Sequence, residues 1–177
     1  MKAVRVHAYH SDPTIDDIDE PSLQGPLDVI VKIGGAGVCR TDLHIINGDW
    51  QAAMNPELPY VIGHENAGWV AALGQGATGF KEGDAVAVYG PWGCGRCHAC
   101  QLTMENYCEN WAQVDGFGGG LGLDGGMAEY MLVPAARLLV ALGGLSPAKA
   151  APLSDAALTP YHAIKRALPA LNPDSTV

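Results

Sequence analysis

Four cysteines close together in the chain form its most chemically specific pattern. Cys94, Cys97 and Cys100 are spaced three residues apart, and Cys108 follows eight positions later. Four thiolates at about 2.3 Å from a zinc ion place their sulfur atoms roughly 3.8 Å apart in a tetrahedron. A glycine-containing loop can aim side chains at one point in this way. The spacing predicts a structural zinc site, because four sulfur ligands leave no coordination position for a substrate.

The alternatives for these cysteines are burial as free thiols and pairing in disulfides. The chain has five cysteines, an odd number that would leave one unpaired in a secreted disulfide framework. In a reducing cytosol, clustered cysteines favour metal binding over disulfides. His98 lies inside the loop and is expected to be exposed to solvent, since four cysteines already complete the ligand set. The N-terminus lacks the apolar region of a signal peptide, so we expect a cytoplasmic protein.

Three further residues that can bind a metal are dispersed along the chain. Cys39 follows a predicted strand and a glycine-rich turn, His64 follows another strand, and Asp155 lies in the C-terminal part. Taken singly, each has an ordinary explanation as a buried thiol, a core histidine or a helix-capping aspartate. The residues around them, described below, favour a shared site.

The elements that must position these residues are mostly strands. A β-branched run over 28–33 is followed by Gly34 and Gly35, which are expected to end that strand. Helix signals appear only late, with a Ser146–Pro147 cap and a Thr159–Pro160 pair predicted to start a helix over 161–168. The pattern predicts about 145 residues of β structure followed by helices. The other predicted strands cover 1–9, 60–65, 68–72, 83–89 and 127–139.

Length and composition exclude several classes of protein. The chain has 177 residues, with 48% hydrophobic and 16% charged residues, which excludes a disordered tail and a coiled coil. Its formal charge is −9, and no stretch concentrates basic residues, so no nucleic-acid partner is expected. No uncharged apolar run approaches the 18 or more residues of a membrane span, so no membrane association is expected.

Four stretches together identify a family. They are GVCRTDLH at 37–44, GHE at 63–65, the four-cysteine loop, and PLSDAALTPYH at 152–162. In this order the sequence resembles the zinc-dependent medium-chain alcohol dehydrogenases, and most closely their bacterial secondary-alcohol type. The resemblance spans the whole chain. It implies a GroES-like, strongly twisted β-barrel over 1–150. Residues 151–177 would then be a helical connection into a Rossmann nucleotide-binding domain that this sequence does not contain.

The resemblance implies that Cys39, His64 and Asp155 bind a catalytic zinc. Three protein ligands leave the fourth position open for water or an alcohol. Zinc would lower the pKa of the alcohol, and a hydride would pass to the nicotinamide of NAD or NADP. With the four-cysteine site, this gives two zinc ions per chain.

The same resemblance implies roles for residues next to these ligands. Thr41 and His44 match a proton relay that ends at a histidine near solvent, a step that suits an imidazole. Asp42 matches the carboxylate that orients the ring of His64. Glu65 lies near the metal in the family and is expected to act as a transient ligand.

Cofactor and substrate contacts are also implied. Arg40 matches an arginine that contacts the cofactor pyrophosphate, and Thr159 matches a residue that packs on the nicotinamide. Trp50 and Trp92 match positions that line the substrate cleft, although both could equally be core aromatics. Two indoles would leave a small or flat pocket, which favours small or aryl-substituted secondary alcohols.

The sequence departs from the family in one respect. The glycine fingerprint that binds a dinucleotide, with its acidic ribose-binding residue, is absent. We therefore expect the N-terminal catalytic portion of a dehydrogenase that is inactive by itself. The alternatives are a free-standing zinc module with a structural or interaction role and one half of a split enzyme. Relatives are dimers or tetramers, so a homo-oligomer is expected for a full-length enzyme. The sequence does not indicate which alcohol is used or whether the cofactor is NAD or NADP.

Overall fold

A computed structural model describes residues 1–54, 56–172 and 174–175. The strands are β1 Lys2–Val6, β2 Thr14–Asp17, β3 Val29–Gly37, β4 Tyr60–Val61, β5 Glu65–Leu73, β6 Ala85–Val88, β7 Gly118–Gly119, β8 Gly122–Leu123, β9 Tyr130–Val133 and β10 Leu139–Ala141. The α-helices are α1 Arg40–Ile46, α2 His98–Gln101, α3 Pro147–Ala150 and α4 Leu158–Ala167. Short 3₁₀ turns cover Glu105–Tyr107, Trp111–Gln113, Ala136–Leu138, Ala151–Ser154 and Leu168–Ala170.

A five-stranded antiparallel sheet forms the larger part of the molecule, with the strand order β10-β6-β5-β3-β9. Val29 and Val31 on β3 have no exposed surface, whereas Lys32, the next residue along the same strand, is exposed. This alternation follows from the period-2 orientation of side chains along a strand. The buried face packs mainly aliphatic side chains, among them Val70, Val86, Val88, Met131, Val133 and Leu138.

A second antiparallel sheet has the order β2-β1-β4. Its core contains Val6, Tyr60 and Ile62, together with Ile45 of α1. The two sheets are joined beside β1, where the Val4 amide donates to the Met127 carbonyl at 2.8 Å. The result is the mainly β, GroES-like barrel fold that the sequence predicted.

Several strand boundaries were predicted wrongly, and the strand expected over 127–139 is divided into β9, the 3₁₀ turn Ala136–Leu138 and β10. β3 does not end at Gly34 and Gly35 but continues to Gly37, with a shift in its register to β5 between Ile33 and Gly35. The two glycines allow other parts of the chain to pack closely against this strand. A Cβ atom at Gly34 would lie 2.6 Å from the ring of Trp69, and one at Gly35 would lie 2.7 Å from Ala148 Cα. The strand can therefore pass close to its neighbours before the turn that contains Cys39.

The start of the last helix was also predicted wrongly. α3 begins at Pro147, directly after Ser146, as expected. α4 begins at Leu158, before the Thr-Pro pair that was predicted to cap it. The Thr159 hydroxyl is not a cap, because it donates to Asp155 Oδ1 at 3.1 Å within the first turn.

The segment that leads into α4 is packed on the barrel. Ala150 and Ala151 are buried against Ala67 of β5 and Ala87 of β6, so the start of the 3₁₀ turn at 151–154 is fixed relative to the sheet. The division between 1–150 and 151–177 stays a prediction. Among the described residues, no helix combines the length and the apolar character needed to cross a bilayer.

Candidate metal sites and active site

Cys39 lies in the turn between β3 and α1, at the position that precedes the first helical residue. Its backbone is extended, and its amide donates to Asp42 Oδ2 at 2.8 Å. A carboxylate at the third helical position commonly satisfies the free amide at a helix start in this way. The sequence around the helix start therefore fixes the position of the Cys39 sulfur.

His64 lies between β4 and β5, and it is held by the same carboxylate. Its Nδ1 is 3.2 Å from Asp42 Oδ1, and both residues are buried. One oxygen of Asp42 thus holds the Cys39 backbone and the other orients the His64 ring. Such a carboxylate behind a histidine directs the opposite ring nitrogen, Nε2, towards a metal.

Asp155 follows the 3₁₀ turn Ala151–Ser154 and faces both of these residues. Its Oδ2 atom is 3.2 Å from His64 Nε2 and 3.8 Å from Cys39 Sγ. The ligand atoms of Cys39, His64 and Asp155 all lie within 4.8 Å of one another. The structure therefore brings together the three residues that the resemblance assigned to one metal.

The chemistry of this group fits zinc. Sulfur, nitrogen and oxygen donors around a tetrahedral zinc are separated by about 3.5 Å, close to the separations seen here. His64 Nε2 is buried and has no hydrogen-bond partner within the described part of the chain, although Asp155 Oδ2 is near. A buried nitrogen of this kind, directed at a carboxylate and a thiol, is well placed to bind a cation.

The electrostatics of the group also favour a positive charge. Burial by itself lowers the pKa of His64, but the carboxylates of Asp155 and Asp42 outweigh it and raise the pKa to about 10. Contact with His64 is the main cause that lowers the pKa of Asp155. The donors are therefore arranged around a point where a positive charge is stabilised.

A cavity of about 220 Å³ opens onto this group. Its lining includes Thr41 and Trp50 together with His64 and Asp155. The Thr41 hydroxyl is 3.8 Å from Cys39 Sγ. The cavity places a hydroxyl and an indole beside His64 and Asp155; the relay role of Thr41 and the substrate contact of Trp50 stay predictions.

Glu65 is buried at the start of β5, and its oxygens are used by the fold. Oε1 accepts a hydrogen bond from the Ala156 amide at 2.8 Å, and Oε2 is close to the position that a Cβ atom of Gly37 would occupy. Glu65 therefore fixes the residue after Asp155 to the start of β5. It is not a member of the three-residue group around the metal position.

Of the remaining predicted residues, Thr159 contacts the candidate ligand Asp155, whereas His44 and Arg40 lie on α1. His44 is partly exposed on α1, and its Nδ1 is 2.7 Å from Asp49 Oδ2. Arg40 on the first turn of α1 and Thr159 on α4 are exposed. Their surfaces are open to a ligand, and their assigned cofactor contacts stay predictions.

Trp92 does not line the cavity at the candidate ligands, which corrects the assignment made from the sequence. The cavity is bordered by Pro91 and Gly90, while the Trp92 side chain is 5% exposed in the core of the larger sheet. Its indole N–H donates to the Tyr89 carbonyl at 2.7 Å, and its ring packs where Gly119 lacks a side chain.

The four cysteines of the loop form a second candidate metal site. The sulfur atoms of Cys94, Cys97, Cys100 and Cys108 lie within 4.8 Å of one another, and all four are free thiols. This arrangement agrees with the tetrahedral zinc site predicted from their spacing. His98 is exposed, as expected.

Hydrogen bonds favour the thiolate form of two of the four sulfurs, those of Cys94 and Cys97, whereas burial raises the pKa of Cys100. The Asn110 side chain donates to Cys94 Sγ at 3.3 Å and is the main cause that lowers the pKa of Cys94 to about 6. Backbone amides, chiefly those of Cys100 and Glu109, lower the pKa of Cys97. Zinc binds the deprotonated form of a cysteine, so these hydrogen bonds favour zinc binding by Cys94 and Cys97.

An ion pair that was not predicted from the sequence lies beside this site. Glu105 is buried, and its Oε1 is 3.0 Å from Arg137 Nε. Arg137 also donates to the Gly93 carbonyl at 3.0 Å. The position of Glu105, three residues before Cys108, was the signal in the sequence. Its partner is 32 residues away, which spacing alone could not identify.

Fold and sites together define a GroES-like β domain with two groups of residues that could hold a metal ion. The chain matches the model of the alcohol dehydrogenase GroES-like domain over residues 25–143. It therefore belongs to the zinc-dependent medium-chain alcohol dehydrogenase family.

Individual relatives agree with this assignment. The chain is 42% identical to D-arabinose 1-dehydrogenase (NADP(+)) of Saccharolobus solfataricus over 95% of its own length and 46% of the relative. It is 38% identical to an NAD-dependent alcohol dehydrogenase of Sulfolobus acidocaldarius over 100% of its length and 50% of the relative. The chain thus spans about half the length of the curated relatives it matches.

Solved structures show the same relationship. The fold superimposes on an alcohol dehydrogenase from the hyperthermophilic archaeon Aeropyrum pernix with a TM-score of 0.88 at 40% identity. That match covers 99% of this chain and 50% of the archaeal chain. The D-arabinose dehydrogenase of Sulfolobus solfataricus matches with a TM-score of 0.77.

Proposed function

We propose that this chain provides the catalytic metal site of an alcohol dehydrogenase that oxidises an alcohol to a ketone or aldehyde with NAD(P). The observation that carries the proposal is the convergence of Cys39 Sγ, His64 Nε2 and Asp155 Oδ2 beside a cavity. Three protein ligands with an adjacent cavity are typical of a catalytic zinc site, whereas a structural site has four.

The residues around the site have separable tasks. When bound, zinc supplies the Lewis acidity that favours the deprotonated alcohol, and the nicotinamide cofactor accepts the hydride. Cys39, His64 and Asp155 hold the metal, and Asp42 keeps two of them in position. Trp50 and the cavity walls orient the alcohol and limit its size.

The proton of the alcohol leaves through a relay that begins at Thr41 and ends at His44. The Thr41 hydroxyl lies in the cavity, where it can accept the proton and pass its own proton on, and a ribose hydroxyl of bound NAD(P) would connect it to His44. His44 is three residues further along the same helix, and residues at this spacing share a face. His44 is partly exposed and paired with Asp49, so it can release the proton to solvent.

The four-cysteine site has a structural task in this proposal. Its sulfurs surround one point completely, and the loop from Cys94 to Cys108 contains only a four-residue helix and a 3₁₀ turn. A bound zinc would therefore hold the loop in shape. The chain would bind two zinc ions, one at each site.

The substrate class follows from the cavity. A space of about 220 Å³ beside Trp50 suits a small or aryl-substituted secondary alcohol. Arg40 and Thr159 are proposed to contact the pyrophosphate and the nicotinamide of NAD or NADP, since both are exposed.

The test compares Asp155→Asn with Asp12→Asn, an exposed aspartate far from the metal ligands in the sequence, each introduced into the whole protein as its source organism makes it. The Asp155 variant is expected to lose alcohol-dependent NAD(P)H formation by on the order of 100-fold or more. Its zinc content should fall from two equivalents to one. Asp12→Asn should change neither quantity. Full activity in the Asp155 variant would contradict the proposal.

A further inference from the structure

Glu105 has one carboxylate oxygen that the fold does not use. The side chain is 5% exposed, and its Oε1 is paired with Arg137. Oε2 is buried and has no hydrogen-bond partner among the described residues. A buried carboxylate oxygen without a hydrogen-bond partner raises the free energy of the folded state. Its position therefore indicates that a ligand could bind to it.

The free oxygen faces the four-cysteine site. A Cβ atom at Gly93 would lie 2.6 Å from Glu105 Oε2 and 2.6 Å from Cys100 Sγ, so both atoms border the same small space. The Cβ atom of Cys108 would be 3.0 Å from that point. The absence of a side chain at Gly93 leaves the carboxylate oxygen next to the Cys100 sulfur.

Arg137 holds the carboxylate in this position from behind. It binds Glu105 Oε1 and the Gly93 carbonyl, each at 3.0 Å. Its position next to the buried 3₁₀ residues Ala136 and Leu138 anchors it to the core of the larger sheet. The orientation of Oε2 is therefore set by the barrel, and the loop alone does not determine it.

We propose that Glu105 is a fifth donor of the four-cysteine site and replaces Cys100 as a zinc ligand when the Cys100 sulfur is absent. A carboxylate oxygen binds zinc at about 2.0–2.2 Å and carries the same single charge as a thiolate. The total charge of the ligands determines whether the Glu105 carboxylate binds the zinc. Four thiolates already exceed the charge of Zn²⁺, so the carboxylate stays with Arg137 until one sulfur is lost.

This inference rests on the proposed occupancy of the four-cysteine site by zinc. The test therefore uses a Cys39→Ala background, in which zinc bound by the purified protein reports the cysteine loop. Zinc equivalents are measured after dialysis. Co²⁺ absorption is recorded in parallel, because thiolate-to-cobalt charge-transfer intensity reflects the number of sulfur ligands.

In this background, Cys100→Ala is expected to keep about one zinc equivalent. Its charge-transfer absorption should fall by about a quarter, since three of four sulfurs remain. Adding Glu105→Gln should reduce bound zinc at least tenfold, because a neutral amide is a poor ligand that still pairs with Arg137. Glu105→Gln alone should keep full zinc binding, which shows that the fold tolerates the amide.

Cys94→Ala is the matched control, because the Cys94 sulfur contacts Asn110. It should lose zinc even with Glu105 intact. Equal zinc binding by Cys100→Ala with and without Glu105→Gln would overturn the proposal. Absence of loop zinc with all four cysteines present would instead overturn the zinc assignment itself.

Discussion

Asp42 connects two of the three candidate zinc ligands at the level of single residues. It accepts the Cys39 amide with one oxygen and faces His64 Nδ1 with the other, and it is 1% exposed. A buried carboxylate with both oxygens occupied by different elements cannot be exchanged for an amide without losing one contact. The geometry of the site therefore depends on a residue that does not touch the metal position.

Asp42→Asn should keep the fold and weaken zinc binding at this site by about 10- to 100-fold. The amide group would place a donor against either the Cys39 amide or the His64 ring nitrogen. Competition with a zinc chelator measures the effect. Asp49→Asn is the control, since Asp49 pairs only with the outer histidine His44; equal affinities for both variants would contradict the prediction.

At the scale of elements, glycines decide how closely the loops and strands can approach the two sites. Gly93 is the clearest case, because a Cβ atom there would lie 2.6 Å from Cys100 Sγ. Gly93→Ala should therefore separate the sulfurs and remove zinc from the loop. Gly144→Ala, where a Cβ atom meets no atom within 4 Å, should keep the zinc. Measured zinc content distinguishes the two variants, and retention by Gly93→Ala would contradict the prediction.

The buried face of the larger sheet supplies the rigid frame for both sites. Leu138 has no exposed surface and packs among Val29, Val86 and Val133. Leu138→Ala should lower the free energy of unfolding by about 2–5 kcal/mol, since it removes methyl groups and leaves a cavity. Leu145→Ala, at an exposed position, should change it by less than about 0.5 kcal/mol. Urea denaturation measures both values, and similar losses would contradict this description of the core.

The sequence was sufficient to predict elements that depend on residues close together in the chain. It was insufficient for features that depend on contacts between distant residues. The β-branched run before Gly34 predicted a strand correctly, and the cysteine spacing predicted that the four sulfurs lie together. The extension of β3 to Gly37 depends on Trp69 and Ala148, which approach from elsewhere in the chain. The direction of the Trp92 side chain likewise depends on Gly119 and the core.

At the scale of the whole molecule, the two metal sites depend on the barrel to different degrees. The three candidate ligands Cys39, His64 and Asp155 follow elements that pack in the hydrophobic clusters of the barrel. For Asp155 this is the alanine cluster that contains Ala151. The cysteine loop has a satellite cluster of its own, formed mainly by the cysteines with Ala99 and Trp111. Its stability should therefore come mostly from a bound metal, whereas the other site should be preorganised without one.

This difference predicts how the two sites respond to loss of a ligand. Cys97→Ser should make the segment 94–113 sensitive to limited proteolysis, because few apolar contacts hold it once zinc is lost. Cys39→Ser should lose zinc from the other site and keep the cleavage pattern of the unaltered protein, since β3 and α1 remain packed through Val31 and Ile45. Mass spectrometry of the fragments locates the cuts. If Cys39→Ser opened the barrel as readily as Cys97→Ser opens the loop, both metals would have to be structural, and the distinction between an open catalytic site and a closed structural site would fail.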